Sequence, residues 1–135
     1  MLKLLMIAVG GAFGSLLRYS VQGWAQRSTG DWVERIVGAN FPIGTLVVNA
    51  TACFAIGLVS GYFAGPQLIR EEYRLGLTVG ILGGYSTFST FGIESFNLAN
   101  AGDFSLALLN MVLSCAIGFT AVWIGYRVAE RFFGV

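Results

Sequence analysis

Residues 80–94 decide the fold; they read Gly-Ile-Leu-Gly-Gly-Tyr-Ser-Thr-Phe-Ser-Thr-Phe-Gly-Ile-Glu. The stretch begins like an apolar helix, but the pair Gly83 and Gly84 is followed by six residues of which four are serine or threonine. Glycine and side-chain hydroxyls both weaken the helical backbone ladder, so we predict a break near 83–86. The alternative interpretation is a kinked helix whose hydroxyls bond to carbonyls four residues earlier.

The composition indicates that lipid, rather than water, surrounds this chain. Of its 135 residues, 56% are hydrophobic and only 11% are charged, whereas soluble domains carry roughly 25% charged residues. The net charge of +1 provides no basic surface for nucleic acid. Histidine is absent, which excludes serine–histidine and cysteine–histidine hydrolases and histidine metal sites. We therefore expect a membrane protein without histidine-dependent chemistry.

The gaps between charged residues define four apolar stretches, each long enough for a helix of about 20 residues that crosses the hydrocarbon core. These stretches lack the alternation of polar and apolar residues that a transmembrane β-barrel requires. The sequence therefore predicts an all-α membrane protein with four transmembrane helices, the third broken near its middle, in a single domain over residues 1–135. The predicted helices cover about 3–25, 42–65, 75–98 and 104–127, with a loop over about 27–41.

Small residues recur every four positions along the predicted helices. Gly10 and Gly14 form such a pair in the first helix, and Gly80 and Gly84 form another in the third. This spacing is typical of helices whose backbones pack closely in a membrane. Asn49 is the one amide in the middle of the second helix. Because an unpaired amide is costly in hydrocarbon, Asn49 must meet either a neighbouring helix or a polar ligand.

The distribution of Lys and Arg gives the chain only a weak preference for one orientation in the membrane. Four spans place both termini on one side, which then carries five of these side chains against two on the other. Such a mild bias is compatible with insertion in both directions. The five are Lys3, Arg70, Arg74, Arg127 and Arg131, and the two are Arg27 and Arg35, or three with Arg18.

Three motifs together resemble the Fluc (CrcB) family of small fluoride channels. They are GGYSTFSTF at 83–91, GAFGSLLRY at 11–19 and PIGTLVVN at 42–49. The resemblance implies a passive, selective fluoride channel of the inner membrane, not an enzyme, which exports fluoride down its gradient and relieves intracellular fluoride toxicity. It also implies a dual-topology, antiparallel homodimer in contact with membrane lipid, and a structural sodium ion as cofactor.

The same resemblance implies roles for individual residues. Phe88 and Phe91 share a helix face, where they either present positive ring edges to an anion or pack against lipid. Arg18 either concentrates anions at the pore mouth or extends to the membrane surface. The implied pore residues are Asn49, Phe88, Phe91, Ser89, Thr90 and Ser114, the vestibule residue is Arg18, and the sodium ligands are the backbone carbonyls of Gly83 and Ser86.

Two other function classes fit part of the sequence. A proton-coupled small multidrug exporter has four glycine-rich spans, but it needs a carboxylate in the first span, where this chain has none. Glu94 is the nearest candidate, although a carboxylate at a polar helix end is an equally simple interpretation. A non-transporting assembly factor explains the packing motifs but not the break.

Asn110, which replaces a tyrosine of some family members, lies with Ser114 on a polar strip that serves either the pore or helix–helix hydrogen bonds.

Overall fold

The computed structural model describes residues 1–65 and 69–134, and these residues form helices joined by short connections, with no strand among them. The expectation of an all-α protein is therefore confirmed. Three of the helices, α1, α2 and α5, are long and apolar enough to cross a membrane. The five helices are α1 (Leu2–Val37), α2 (Ile43–Ala64), α3 (71–85), α4 (Phe88–Asn100) and α5 (Phe104–Phe133).

The predicted end of the first helix is wrong, because α1 continues through the expected loop to Val37. Its 36 residues span about 54 Å, whereas the hydrocarbon core is about 30 Å thick. Charged residues mark where a helix leaves the hydrocarbon, but they do not stop it from being a helix. The stop signal is Gly38, whose φ of 77° is left-handed and whose N–H donates to the Glu34 carbonyl at 2.8 Å.

The predicted third helix is divided into α3 and α4, as the hydroxyl-rich stretch indicated. α3 is one continuous rod that contains the helical turn Glu71–Leu75, the π-helical stretch Gly76–Leu82 and the helical turn Gly83–Tyr85. Only Ser86 and Thr87 leave the helical conformation. The break therefore begins at the last residue of the predicted range and extends one residue beyond it, and both glycines of the Gly-Gly pair remain helical.

The glycine stripes are positions of close helix packing, as predicted. A Cβ added at Gly10 would lie 2.5 Å from the Gly76 carbonyl oxygen, and one at Gly14 would collide with the Ile81 carbonyl. These contacts join α1 to α3, and matching glycines join α2 to α5. An added Cβ at Gly57 would strike the Val122 carbonyl. Because the backbones touch directly, larger side chains at these positions would force the helices apart.

The buried core lies directly beside the break. Val48 and Ala52 of α2 pack with Tyr85, the last helical residue of α3, and the half-buried Val21 of α1 packs against them. Each of these three buried residues is less than a tenth exposed. The core therefore anchors the end of α3 on α2, and it positions the two extended residues that follow.

Candidate functional site

The break is a short extended segment followed at once by a capped helix. Ser86 has a ψ of 156°, and Thr87 has φ −148° and ψ 113°. The Thr87 side chain is buried and accepts a hydrogen bond from the Thr90 N–H at 3.2 Å, which is the N-cap interaction of α4. The same hydroxyl donates to the Thr90 oxygen at 2.8 Å. Local side chains thus restart the helix after two residues.

Asn49 of α2 holds this segment with both ends of its amide. Its Nδ2 donates to the Thr87 carbonyl at 3.1 Å, and its Oδ1 accepts from the Thr87 N–H at 2.9 Å. The two possibilities for Asn49 were a neighbouring helix or a polar ligand, and the structure shows that it binds the backbone of the break. An amide nitrogen carries two hydrogens, so the second N–H of Nδ2 is left over from this pair.

Two carbonyls at the break lose the donors that a continuous helix would supply. In such a helix the Thr87 N–H would bond to Gly83 and the Thr90 N–H to Ser86, each four residues back. The first instead donates to Asn49 and the second to the Thr87 hydroxyl. Gly83 and Ser86 are both exposed on the surface of the chain. The break therefore leaves these two carbonyls without the N–H groups that a continuous helix would direct to them.

The first turn of α4 places aromatic rings and hydroxyls side by side. The centroids of Phe88 and Phe91 are 5.5 Å apart with their ring planes tilted by 47°. Phe88 is 84% exposed, whereas Phe91 is half-buried. Ser89 is exposed and Thr90 is half-buried. The break is thus followed directly by a turn that carries Phe88, Ser89, Thr90 and Phe91, and it is bound by Asn49 from α2.

The remaining predicted residues lie on other helices. Ser114 of α5 and Arg18 of α1 are half-buried, and within the described ranges no hydrogen bond joins either of them to the break. Asn110 is 2% exposed and donates to the Ser95 hydroxyl at 2.9 Å. Ser95 in turn donates to the Phe91 carbonyl at 2.8 Å. Of the two uses considered for the polar strip on the fourth transmembrane helix, Asn110 therefore serves helix–helix bonding.

A second polar network was not predicted from the sequence. Gln22 of α1 donates to the Thr45 hydroxyl at 3.0 Å, and Thr45 donates to Glu94 Oε1 at 2.7 Å. Glu94 Oε2 is buried and has no hydrogen-bond partner in the described part of the chain. The spacing of Gln22 and Gln26, two amides four residues apart in an apolar helix, was the available signal.

This network borders a cleft of about 720 Å³. The cleft lies between α1, the connection that precedes α2, and the end of α4 with the turn that follows it. Polar side chains are frequent in its wall, and they include amides as well as carboxyl groups. The polar and charged residues are Tyr19, Gln22, Gln26, Asn40, Glu94, Asn97 and Asp103. Glu94 lies about one helical turn after Phe91 in α4, so the cleft adjoins the aromatic turn of α4.

The chain matches one family over most of its length. The family described as "CrcB-like protein, Camphor Resistance (CrcB)" matches residues 5–126. A protein of Geobacter metallireducens named fluoride-specific ion channel FluC is 41% identical over 131 residues, which is 97% of this chain and 99% of that protein. A protein of the same name from Solibacter usitatus is 42% identical over 130 residues, which is 96% of this chain and all of that protein.

A third relative is similar over nearly the same length. The protein named fluoride-specific ion channel FluC 1 of Methanosarcina acetivorans is 39% identical over 125 residues, which is 93% of this chain and 88% of that protein. The residues that the family matches, 5–126, include the break, the aromatic turn of α4 and the packed glycines. The chain therefore belongs to the CrcB family.

Proposed function

We propose that this chain is a passive, selective fluoride channel of the inner membrane and not an enzyme. The observation that carries the proposal is the break between α3 and α4, where Asn49, two phenylalanine rings and several hydroxyls meet within an apolar chain. Non-helical backbone at membrane depth is tolerated where it is covered by protein or lines a wet cavity. Three relatives that are 41%, 42% and 39% identical to this chain are named fluoride-specific ion channels.

The chemistry of the break suits a small and strongly hydrated anion. Such an ion leaves water only if hydrogen-bond donors and the positive edges of aromatic rings replace its hydration shell. The spare N–H of Asn49, the hydroxyls of Ser89, Thr90 and Ser114, and the edges of Phe88 and Phe91 are the proposed replacements. None of these groups carries a fixed positive charge that would trap the ion. Chloride is larger and needs such donors less, so a narrow passage discriminates by size and hydration together.

Transport down a gradient is sufficient for a physiological role. Neutral hydrogen fluoride crosses a bilayer, ionises at the higher internal pH and is trapped as fluoride. A downhill anion pathway then lowers the internal fluoride concentration without an energy source. Arg18, half-buried on α1, is proposed to raise the anion concentration at one mouth of that pathway.

The sodium ion belongs to the same proposal. The Gly83 and Ser86 carbonyls have lost their helical donors, both residues are exposed, and carbonyl oxygens suit a small hard cation. Two copies related by a two-fold axis would bring four such oxygens together. We expect fluoride transport and the melting temperature to fall when sodium is replaced by a bulky organic cation. Undiminished transport and stability in sodium-free medium would exclude a structural sodium ion.

An antiparallel homodimer would cover the exposed side of the break. Phe88 and Ser86 are exposed there, and a Cβ added at Gly92 would meet nothing within 4 Å. The proposed partner is a second copy inserted in the opposite direction. A cysteine-free background, with Cys53 and Cys115 changed to serine, would receive a single cysteine at Ala101 or at Arg70.

If both orientations exist, an impermeant thiol reagent should label about half of each single-cysteine variant from outside intact vesicles. The two positions lie at opposite ends of the bundle, so each is the control for the other. A chain with one orientation would instead show full labelling at one position and none at the other. That result would eliminate the antiparallel arrangement.

A passive fluoride channel and a proton-coupled exporter differ in their need for protons. Proteoliposomes loaded with potassium fluoride should release it into fluoride-free buffer once valinomycin removes the electrical limit, at equal pH on both sides. Imposing a pH gradient should leave the initial rate nearly unchanged. A rate that appears only with the gradient would favour the proton-coupled exporter.

A further inference from the structure

Tyr85 carries a hydroxyl into the apolar core beside the break. The side chain is 7% exposed and packs against Val48 and Ala52 of α2 and against Val21 of α1. A phenol hydroxyl in such surroundings needs a hydrogen-bond partner, because burying it unpaired is unfavourable. The partner is Thr51 of α2, whose hydroxyl oxygen lies 2.8 Å from the Tyr85 hydroxyl oxygen.

The direction of this hydrogen bond follows from the neighbours of Thr51. Its hydroxyl oxygen is 2.8 Å from the Val47 carbonyl oxygen and 3.0 Å from that of Val48. A carbonyl can only accept, so the single Thr51 hydrogen is directed to these carbonyls. Tyr85 therefore donates to Thr51. Each hydroxyl has its hydrogen committed, and the contact has one arrangement rather than two.

The position of Thr51 relative to Asn49 matters for the break. At 3.6 residues per turn, Val48 and Ala52 form one ridge of α2, with Asn49 on one flank and Thr51 on the other. Asn49 holds Thr87, the second residue of the break, and Thr51 holds Tyr85, the last residue before it. Ser86 is the single residue between the two attachments. Its peptide groups are therefore held from both sides of the ridge.

We propose that the Tyr85–Thr51 hydrogen bond is a positioning element that holds the break, and the Ser86 carbonyl in particular, in the geometry required for anion passage. Its transport role rests on the fluoride function proposed above, but its effect on the backbone does not. Without the hydrogen bond the Tyr85 ring remains packed in the core, but the end of α3 loses its polar attachment to α2. Asn49 alone then holds the break from one flank.

The first test measures the backbone directly by amide hydrogen exchange in peptides that cover 83–90. Tyr85→Phe and Thr51→Val each remove one hydroxyl and keep the shape of the side chain, so we expect exchange in these peptides to be about fivefold faster. Thr51→Ser keeps the hydroxyl and should exchange like the wild type. Tyr62→Phe is the matched control, because Tyr62 lies at the other end of α2 from the break, where its ring packs on Phe133 of α5. Unchanged exchange in Tyr85→Phe and Thr51→Val would overturn the proposal.

The second test measures fluoride efflux from proteoliposomes containing equal amounts of protein that elutes normally in size exclusion. Tyr85→Phe and Thr51→Val should each slow efflux about fivefold, and the double variant should also be slowed about fivefold, because one interaction is lost in all three. Losses that multiply, or wild-type rates in both single variants, would overturn the positioning role. A wild-type chain that releases no fluoride would overturn the fluoride function, while the exchange test would still decide the effect on the backbone.

Discussion

Replacing Asn49 by Asp tests the break most sharply, because it changes one atom of the amide that holds Thr87. In the wild type the Thr87 N–H donates to Asn49 Oδ1 at 2.9 Å, and the carboxylate of the variant keeps an oxygen for this hydrogen bond. It loses the donor that reaches the Thr87 carbonyl at 3.1 Å and places a second oxygen against it. Thr87 is only 5% exposed, so water cannot easily replace the lost donor.

The expected magnitude follows from the single contact that is lost. Leaving a buried carbonyl without its donor costs about 1–3 kcal/mol, and repulsion between the two oxygens adds to this. We therefore expect the free energy of unfolding to fall by about 2 kcal/mol or more, which corresponds to a melting temperature lower by about 5–10 °C. The added negative charge should also repel fluoride, and we expect efflux to fall at least tenfold, which is about 1.4 kcal/mol in the barrier.

The assay combines thermal melting of the detergent-solubilised protein with fluoride efflux from proteoliposomes. Asn100→Asp is the matched control, because it makes the same chemical change at the exposed end of α4. That variant should behave like the wild type in both measurements. An Asn49→Asp variant with wild-type melting and wild-type efflux would refute the argument that Asn49 both holds the break and borders the anion path.

Three further results are expected. Phe88→Ile and Phe91→Ile should each reduce fluoride efflux at least tenfold, about 1.4 kcal/mol in the barrier, with normal size exclusion; near-normal efflux in both would mean that the rings serve only packing. Gly14→Ala should destabilise the protein by about 1–3 kcal/mol in thermal or denaturant unfolding, whereas Gly11→Ala, where an added Cβ meets nothing within 4 Å, should not; equal effects would contradict the close contact of α1 with α3. Glu94→Gln should retain fluoride efflux within about threefold of the wild-type rate, since residue 94 still offers an oxygen to Thr45 and a channel needs no titrating carboxylate; complete loss of transport would favour the proton-coupled exporter.

The broad architecture could be predicted because it depends on local composition. The gaps between charges located α2 and the start of α5 closely, and the glycine spacing identified the positions where backbones touch. The end of α1 could not be predicted from the gaps between charges, because the charged residues after residue 26 mark only the end of the apolar part of the helix.

The break shows where prediction from local sequence ends. Glycine and hydroxyl content correctly indicated a weak point, but Gly84 stays helical, packed so closely on α1 that an added Cβ would lie 2.6 Å from the Gly11 carbonyl oxygen. The exact residues were set by Asn49, 38 positions away, which takes the Thr87 N–H out of the helix. A contact between distant residues cannot be read from the segment alone.

The polar networks could not be predicted from the sequence either, because they also join residues that are distant along the chain. Asn110 was visible as a polar residue in an apolar helix, but its partner Ser95 lies on another helix. The two hydrogen bonds that link Gln22, Thr45 and Glu94 join three helices. Each member alone is compatible with a polar helix end, and only the packing of α1, α2 and α4 brings them together.

Fluoride selectivity is tested most directly by comparing fluoride and chloride release from the same proteoliposomes, each followed with an ion-selective electrode at equal pH on both sides. We expect rapid fluoride release after addition of valinomycin and chloride release no faster than from protein-free vesicles. Fluoride and chloride released at equal rates, or no fluoride release from correctly folded protein, would contradict this expectation.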